Sequence, residues 1–166
     1  MIRYQYIDSP IGPLLLAADD EGLHLIEFHT PRHPMSRLSH WIEGDNAILK
    51  ATRRQLDEYF SGSRKDFDLP LALQGTPFQK EVWHRLATIP YGQTISYAQL
   101  AQRVGKPTAM RAVGAANGRN PLPIVLPCHR VIGTDGSLTG FGGGLPTKLF
   151  LLQLEGALAP AQDLFD

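Results

Sequence analysis

At Thr76 the apolar residues of this chain change their period, and that change limits the folds open to it. Before Thr76 they alternate along the chain as they do in half-buried strands. The runs "IRYQYID", "PLLLAAD" and "LHLIEFH", separated by turns at "SPIG" and "DDEG", read as an antiparallel meander. "HTPRHPMSR" reads as a loop. In "NAILKATRRQLDEYFSG", Ile48, Leu49, Leu56, Tyr59 and Phe60 fall at helical spacing, and Gly62 can end the helix. "KDFDLPLALQG" then reads as a strand or an extended linker. A small sheet with one helix packed on it is expected over residues 1–75.

From Thr76 onward the signals are helical. Thr76, Pro77 and Gln79 form an N-cap, a first-turn proline and a capping box, with Phe78, Val82, Trp83 and Leu86 as the apolar stripe. Ser96 and Gln99 repeat the device in "SYAQLAQRVG", where Leu100, Ala101 and Val104 turn inward and Gly105 stops the helix. "TAMRAVGAANG" gives a further helix, and the pair resembles a helix-turn-helix. Its outward residues, Ala109, Ala112, Gly114 and Ala115, are small, and only Arg111 is long and charged. A reader of the major groove carries Arg, Asn or Gln at base-contacting positions. A small-faced helix suits close approach to a minor groove, or tight packing against a neighbouring helix. The expected division is residues 1–75 and 76–166.

Charge divides at the same place. Residues 1–75 hold 8 Lys+Arg against 11 Asp+Glu, and residues 76–166 hold 8 against 5, so the second part is the basic one and fits a phosphate-bearing partner. With 43% hydrophobic and 19% charged residues the chain reads as globular rather than disordered. It has no apolar run long enough to span a membrane and no leader pattern at its start. A single cysteine excludes an internal disulfide framework and fits a reducing interior, so a cytoplasmic location is expected.

That cysteine stands in "NPLPIVLPCHRVIG", between Pro127 and His129. A lone cysteine is by default an inert core residue. Here a neighbouring histidine, three prolines at 121, 123 and 127, the cations Arg119 and Arg130, and the glycine-rich "GTDGSLTGFGGG" argue for a nucleophile activated by positive surroundings. If 124–131 is extended, Cys128 and His129 point to opposite faces, and a water must link them. His129 then needs an orienting acceptor on its other nitrogen. Glu155, at the end of a helix opened by Pro146 with Leu149, Leu152 and Gln153 on its inner face, can supply it. Arg130 reads as a member of a structural ion pair.

The segment "NPLPIVLPCHRVIG" closely resembles the active-site segment of O6-alkylguanine-DNA alkyltransferases, the methylated-DNA–protein-cysteine methyltransferases. The resemblance continues through "TPFQKEVWHRLATIPYGQTISYAQLA", "RAVGAANGRNPLPI", "GFGGG" and "KLFLLQLEG", dense over 76–156 and looser before it. It implies an α/β (α+β) fold, with a ribonuclease-H-like N-terminal domain and a helix-turn-helix, winged-helix-like C-terminal domain. It implies that Cys128 accepts the alkyl group and that His129 and Glu155 form, with a water, the relay that deprotonates it. Asn120 would hold the turn entering the segment, and Tyr97 would donate a proton toward the departing guanine. Arg111 would fill the gap left by the extruded nucleotide, with Ala109, Ala112 and Gly114 against the groove. The carbonyls of Cys128 and Val131 would accept from the guanine amino group. Phe141 and Gly142 would cover the base, and Pro123 would line its pocket.

The implied activity is direct-reversal repair. The alkyl group of O6-alkylguanine, with O4-alkylthymine as a second substrate, moves to Cys128 in one irreversible reaction per molecule, because an alkyl–sulfur bond resists hydrolysis. The implied partner is double-stranded DNA bound by a monomer through the minor groove, with no membrane and no cofactor. Some relatives bind zinc through N-terminal cysteines and histidines. Here the four N-terminal histidines have no cysteine partner, and "HTPRH" has a proline inside its spacing, so no metal is expected. Phe141 stands where many relatives carry tyrosine, which keeps stacking and loses a hydroxyl. Two other classes use the same residues: a cysteine hydrolase built on Cys128, His129 and Glu155, and a non-catalytic sensor of alkylated DNA, which lacks an acceptor cysteine.

Overall fold

The computed structural model describes residues 1–29 and 40–158. Strands β1 (Arg3–Ile7), β2 (Leu14–Ala18) and β3 (Leu23–Phe28) form the antiparallel meander, with Tyr4 opposite Ala17 and Leu16 opposite Ile26. A short β4 (Ile42–Glu43) adds in parallel to β1, giving the order β3-β2-β1-β4. The loop expected over 29–37, with its "HTPRH" spacing, falls almost entirely outside the described residues, as does the chain from 159 onward.

One expectation about the sheet is corrected. Alternation implies a solvated face, yet all five residues of β2 are buried. Leu14, Leu16 and Ala18 join the main core, while Leu15 and Ala17 meet Leu25, Ile2, Tyr4 and Trp41 on the other face. A central strand covered on both sides becomes uniformly apolar. Helix α1 (Ala47–Phe60) covers the first face. Asn46 caps it by accepting from the Leu49 amide at 2.8 Å and donates at 2.9 Å to the Ala18 carbonyl, tying the helix start to β2.

The exposed edge of β3 is closed by later chain, which suppresses edge-to-edge pairing. Leu23 and Leu71 form a parallel bridge, and the Ile26 amide donates to the Pro121 carbonyl at 3.0 Å. The "LPLAL" stretch is therefore an extended linker beside the sheet. The second bond fixes the sheet to the segment leading to Cys128.

Helices α2 (Pro77–Leu86) and α3 (Tyr97–Arg103) both carry complete capping boxes, Thr76 with Gln79 and Ser96 with Gln99. Trp83 Nε1 donates to the Ala116 carbonyl at 2.8 Å, joining α2 to α4 (Met110–Gly118). Gly105, at φ +74°, ends α3: its amide reaches Gln102 and the Lys106 amide reaches Ala101. This is a Schellman turn, and it leaves room for α4 to turn against α3. A two-stranded parallel sheet, β5 (Ile95–Ser96) with β6 (Val131–Ile132), ties the start of α3 to the residues just after Cys128. Helix α5 (Leu145–Leu154) completes the fold. Its inner face is Lys148, Leu151 and Leu152, whereas Leu149 is 37% exposed; 3.6 residues per turn place 148, 151, 152 and 155 together and turn 149 away. No helix of the described residues is long and apolar enough to cross a membrane.

Candidate active site

Between Asn120 and Cys128 the chain makes successive tight turns. Asn120 Oδ1 accepts from the Leu122 amide at 2.9 Å while its Nδ2 donates to the Leu126 carbonyl at 2.6 Å. The Leu126 amide returns to the Leu122 carbonyl at 2.8 Å, enclosing Ile124 at φ +74°. A β-branched residue in the left-handed region is an outlier that costs about 1–3 kcal/mol and persists only where its surroundings hold it. Pro127, at φ −78° and ψ 70°, makes an inverse γ-turn closed by the Cys128 amide to the Leu126 carbonyl at 2.7 Å. Cys128–Arg130 is then a single 3₁₀ turn, not the extended run that simple alternation implies.

The turn sends three adjacent side chains into one buried region. His129 Nε2 lies 2.8 Å from Glu155 Oε2. Arg130 grips the same carboxylate through Nε at 2.8 Å and Nη2 at 3.0 Å, and spends Nη1 on the Ile89 carbonyl at 2.6 Å. Tyr59 donates its hydroxyl to Oε2 from α1. Glu155 is the C-cap of α5, held by a second Schellman turn in which Gly156, at φ +76°, lets the Ala157 amide reach the Leu152 carbonyl. Burial opposes ionisation of Glu155, but the bonds from His129 and Arg130 outweigh it and hold the carboxyl at about 2. Burial depresses the basicity of His129 more than Glu155 restores it, so the imidazole is neutral. With Nε2–H donated to the carboxylate, Nδ1 carries the free lone pair. It is buried and has no hydrogen-bond partner among the described residues.

Cys128 is 6% exposed, and burial pushes its thiol up to about 11 despite Asn120 and Lys148, which draw it down. The cations near the sulfur in sequence do not outweigh burial. Arg119 is exposed and Arg130 is committed to Glu155, so burial prevails. Near neutral pH the thiol is protonated, and reaction needs a base. The sulfur lines a cavity of about 40 Å³ with Phe28, Asn120, Pro123, Phe141 and Gly142. Gly118, Arg119 and Gly140–Gly142 also border a larger cleft of about 340 Å³, which Tyr97, Gly114 and Ala115 complete. Phe141 is buried, and its ring packs against Phe28 of β3 at 5.4 Å.

Of the other expected residues, Tyr97 and Gly114 line this cleft. Tyr97 donates to the Thr139 carbonyl at 3.3 Å. Arg111 and Ala112 are exposed on α4, while Gly114 is half-buried with its α-carbon side facing the Tyr97 ring. Ala109 is half-buried at the N-cap position, outside the helix that the sequence was expected to start before it. The Val131 carbonyl accepts from Lys148 Nζ at 2.6 Å and retains a second lone pair.

Two members of the site escape sequence reasoning. Lys148 is fully buried; its ammonium also reaches the Thr139 carbonyl at 3.0 Å, and burial lowers it to about 8. Its signal was available, because a helix that turns Glu155 inward also turns inward the residue seven positions earlier. Tyr59 gives no such signal, since its partner is 96 residues away. Among the described residues no cluster of His, Cys, Asp and Glu could hold a metal.

Comparison with known proteins covers both parts of the chain. Residues 2–73 match the 6-O-methylguanine DNA methyltransferase ribonuclease-like domain, and residues 77–157 match the DNA binding domain of the same family. A methylated-DNA–protein-cysteine methyltransferase of Mycobacterium tuberculosis is 50% identical over all of both chains. One from Methanosarcina acetivorans is 49% identical over 93% of this chain and 98% of its own. The crystal structure of Mycobacterium tuberculosis OGT in complex with DNA superposes with a TM-score of 0.86 at 47% identity, covering 99% of each chain. An O6-methylguanine-DNA methyltransferase from Pyrococcus kodakaraensis superposes at 0.65 with 26% identity, over 94% of this chain and 99% of its own. With a ribonuclease-like domain followed by a helical DNA-binding domain, the chain belongs to the 6-O-methylguanine DNA methyltransferase family.

Proposed function

We propose that this protein repairs alkylated DNA by direct reversal, acting as a methylated-DNA–protein-cysteine S-methyltransferase that is consumed in the reaction. The observation that carries this reading is the asymmetric environment of His129: one nitrogen is fixed by a buried carboxylate and the other is a buried acceptor with no partner among the described residues, while the preceding residue in the chain, Cys128, lines a cavity with a protonated thiol.

The thiol proton passes through a water to His129 Nδ1, and Glu155 stabilises the imidazolium. The sulfur then attacks the alkyl carbon in line with O6. The S–C bond forms as the C–O6 bond breaks, and the guanine electrons are met by a proton from Tyr97 and a backbone N–H at Gly142. The proton held by His129 then returns to Tyr97 through solvent, so that in net terms the alkyl group moves to sulfur and the thiol's proton to guanine. The nucleotide must leave the stack to reach the sulfur, at a cost of a few kcal/mol. The small side chains of α4 allow close approach to the minor groove, and Arg111 fills the gap. Phe141 and Gly142 close over the base, which the Cys128 and Val131 carbonyls hold by its amino group.

The protein acts as a cytoplasmic monomer on double-stranded DNA carrying O6-alkylguanine, with O4-alkylthymine as a second substrate, and residues 1–75 and 76–166 form its two domains. Intact-protein mass spectrometry after mixing with O6-methylguanine DNA tests the reading. One methyl on Cys128, and none on Cys128→Ser, is the expected result. Release of product beyond one equivalent of protein, as a hydrolase would give, overturns it.

A further inference from the structure

Of the four hydrogen bonds on the Glu155 carboxylate, one comes from the N-terminal part of the chain. Tyr59, in the last turn of α1, is fully buried and donates to Oε2. His129 Nε2 meets the same oxygen, and Arg130 occupies both. Oε2 thus takes three of the four bonds and Oε1 one, so the crowded oxygen is the one that faces His129. The Tyr59 ring already packs on Phe60 at 5.4 Å and Phe67 at 5.5 Å, which a phenylalanine would do as well. The hydroxyl therefore serves Glu155 rather than the core.

We propose that Tyr59 is a positioning residue of the alkyl-transfer relay: its hydroxyl holds Glu155 Oε2 against His129 Nε2 and draws off part of the carboxylate charge, setting how readily His129 takes the thiol proton. The inference rests on the alkyl-transfer reading of Cys128.

The groups facing this carboxylate come from several elements: His129 and Arg130 from the 3₁₀ turn, Tyr59 from α1, and Tyr91 from the segment after α2. Lys148 of α5 adds its charge at His129, and Lys65 lies over the outer side of the Tyr91 ring. Tyr91 directs its hydroxyl to the Leu154 carbonyl at 3.4 Å instead of the carboxylate, which makes it a natural control. Without the Tyr59 hydroxyl the negative charge concentrates on Oε2 and stabilises the imidazolium. His129 then protonates at higher pH, and the acid limb of the reaction moves up with it.

The test is the single-turnover rate of methyl transfer from an O6-methylguanine duplex against pH, in the full-length protein. Tyr59→Phe should raise the acid limb by roughly half to one pH unit. Tyr91→Phe should leave it in place. Site-specific 3-fluorotyrosine at 59, a stronger donor of the same shape, should lower it. A loss of folding stability alone moves none of these limbs. An unmoved limb in Tyr59→Phe, or a fluorotyrosine shift in the same direction as the phenylalanine one, overturns the proposal. Should Tyr59→Phe fail to fold, the fluorotyrosine protein decides by the sign of its shift. The same limb can be read from iodoacetamide labelling of Cys128 without DNA. A protein that takes no methyl from DNA yet shows these labelling shifts would refute the repair reading and leave the Tyr59 relay standing.

Discussion

The two sides of His129 are built on opposite plans. On the Nε2 side every polar atom has a partner: the Glu155 carboxylate holds four hydrogen bonds, and Arg130 uses its remaining nitrogen on Ile89. On the Nδ1 side a buried ring nitrogen has no partner among the described residues, and the thiol of the preceding residue, Cys128, is held protonated by burial. A network in which every polar atom is paired holds its geometry, whereas an unpartnered buried acceptor is poised to take a proton. The difference separates orientation from reaction across one imidazole ring.

The comparison can be broken first at the sulfur. Cys128→Ser should abolish methyl uptake, read as the absence of a mass gain. Next comes the paired side. Glu155→Gln strands Arg130 and frees the imidazole tautomer, so the single-turnover rate should fall by roughly 10²–10⁴. Chemical denaturation should show a loss of about 3–5 kcal/mol, as for a broken buried ion pair. Lys148→Met acts on the reactive side. It removes a cation that, with Asn120, draws the thiol down, so the thiol should rise further and labelling by iodoacetamide near neutral pH should slow, read as a shift of the labelling profile to higher pH.

Acid sharpens the contrast without mutation. His129 and Glu155 both titrate lower when folded, so the unfolded chain binds more protons in both windows. Stability contributed by neutral His129 is complete above its ordinary 6.5 and declines below it. That contributed by Glu155 is complete above 4.5 and is lost as pH falls toward about 2. Denaturation midpoints should therefore fall in two stages, and Glu155→Gln should remove the second. The smallest effect is at Gly156→Ala, which meets no neighbouring atoms but strains the left-handed C-cap. A loss of about 1 kcal/mol, or roughly 2–4 °C in Tm, is expected by calorimetry.

Much of this was legible because local chemistry and tertiary structure agree. Thr76 with Gln79 and Ser96 with Gln99 cap their helices in the structure as their spacing requires. The reading stopped where a residue's role depends on something distant. Leu15 and Ala17 do not announce a second apolar face, because what covers them arrives from elsewhere in the chain. Ile124 gives no sign of a positive φ, since β-branched residues disfavour it and only the Asn120 turns enforce it. At Cys128 the limit is of the same kind: a sequence shows charges nearby but not that Arg130 is already taken by Glu155.

The placement of Glu155 beyond Cys128 in the chain has a consequence for synthesis. A ribosome finishes the sulfur before it makes the carboxylate that fixes the imidazole, and Tyr59 must also have docked to complete the set. Until the last helix folds back, the sulfur is an ordinary exposed thiol. Docking of that helix completes the relay in the same event that leaves the thiol buried and protonated, so the finished protein keeps its reagent quiet until a base draws off the proton.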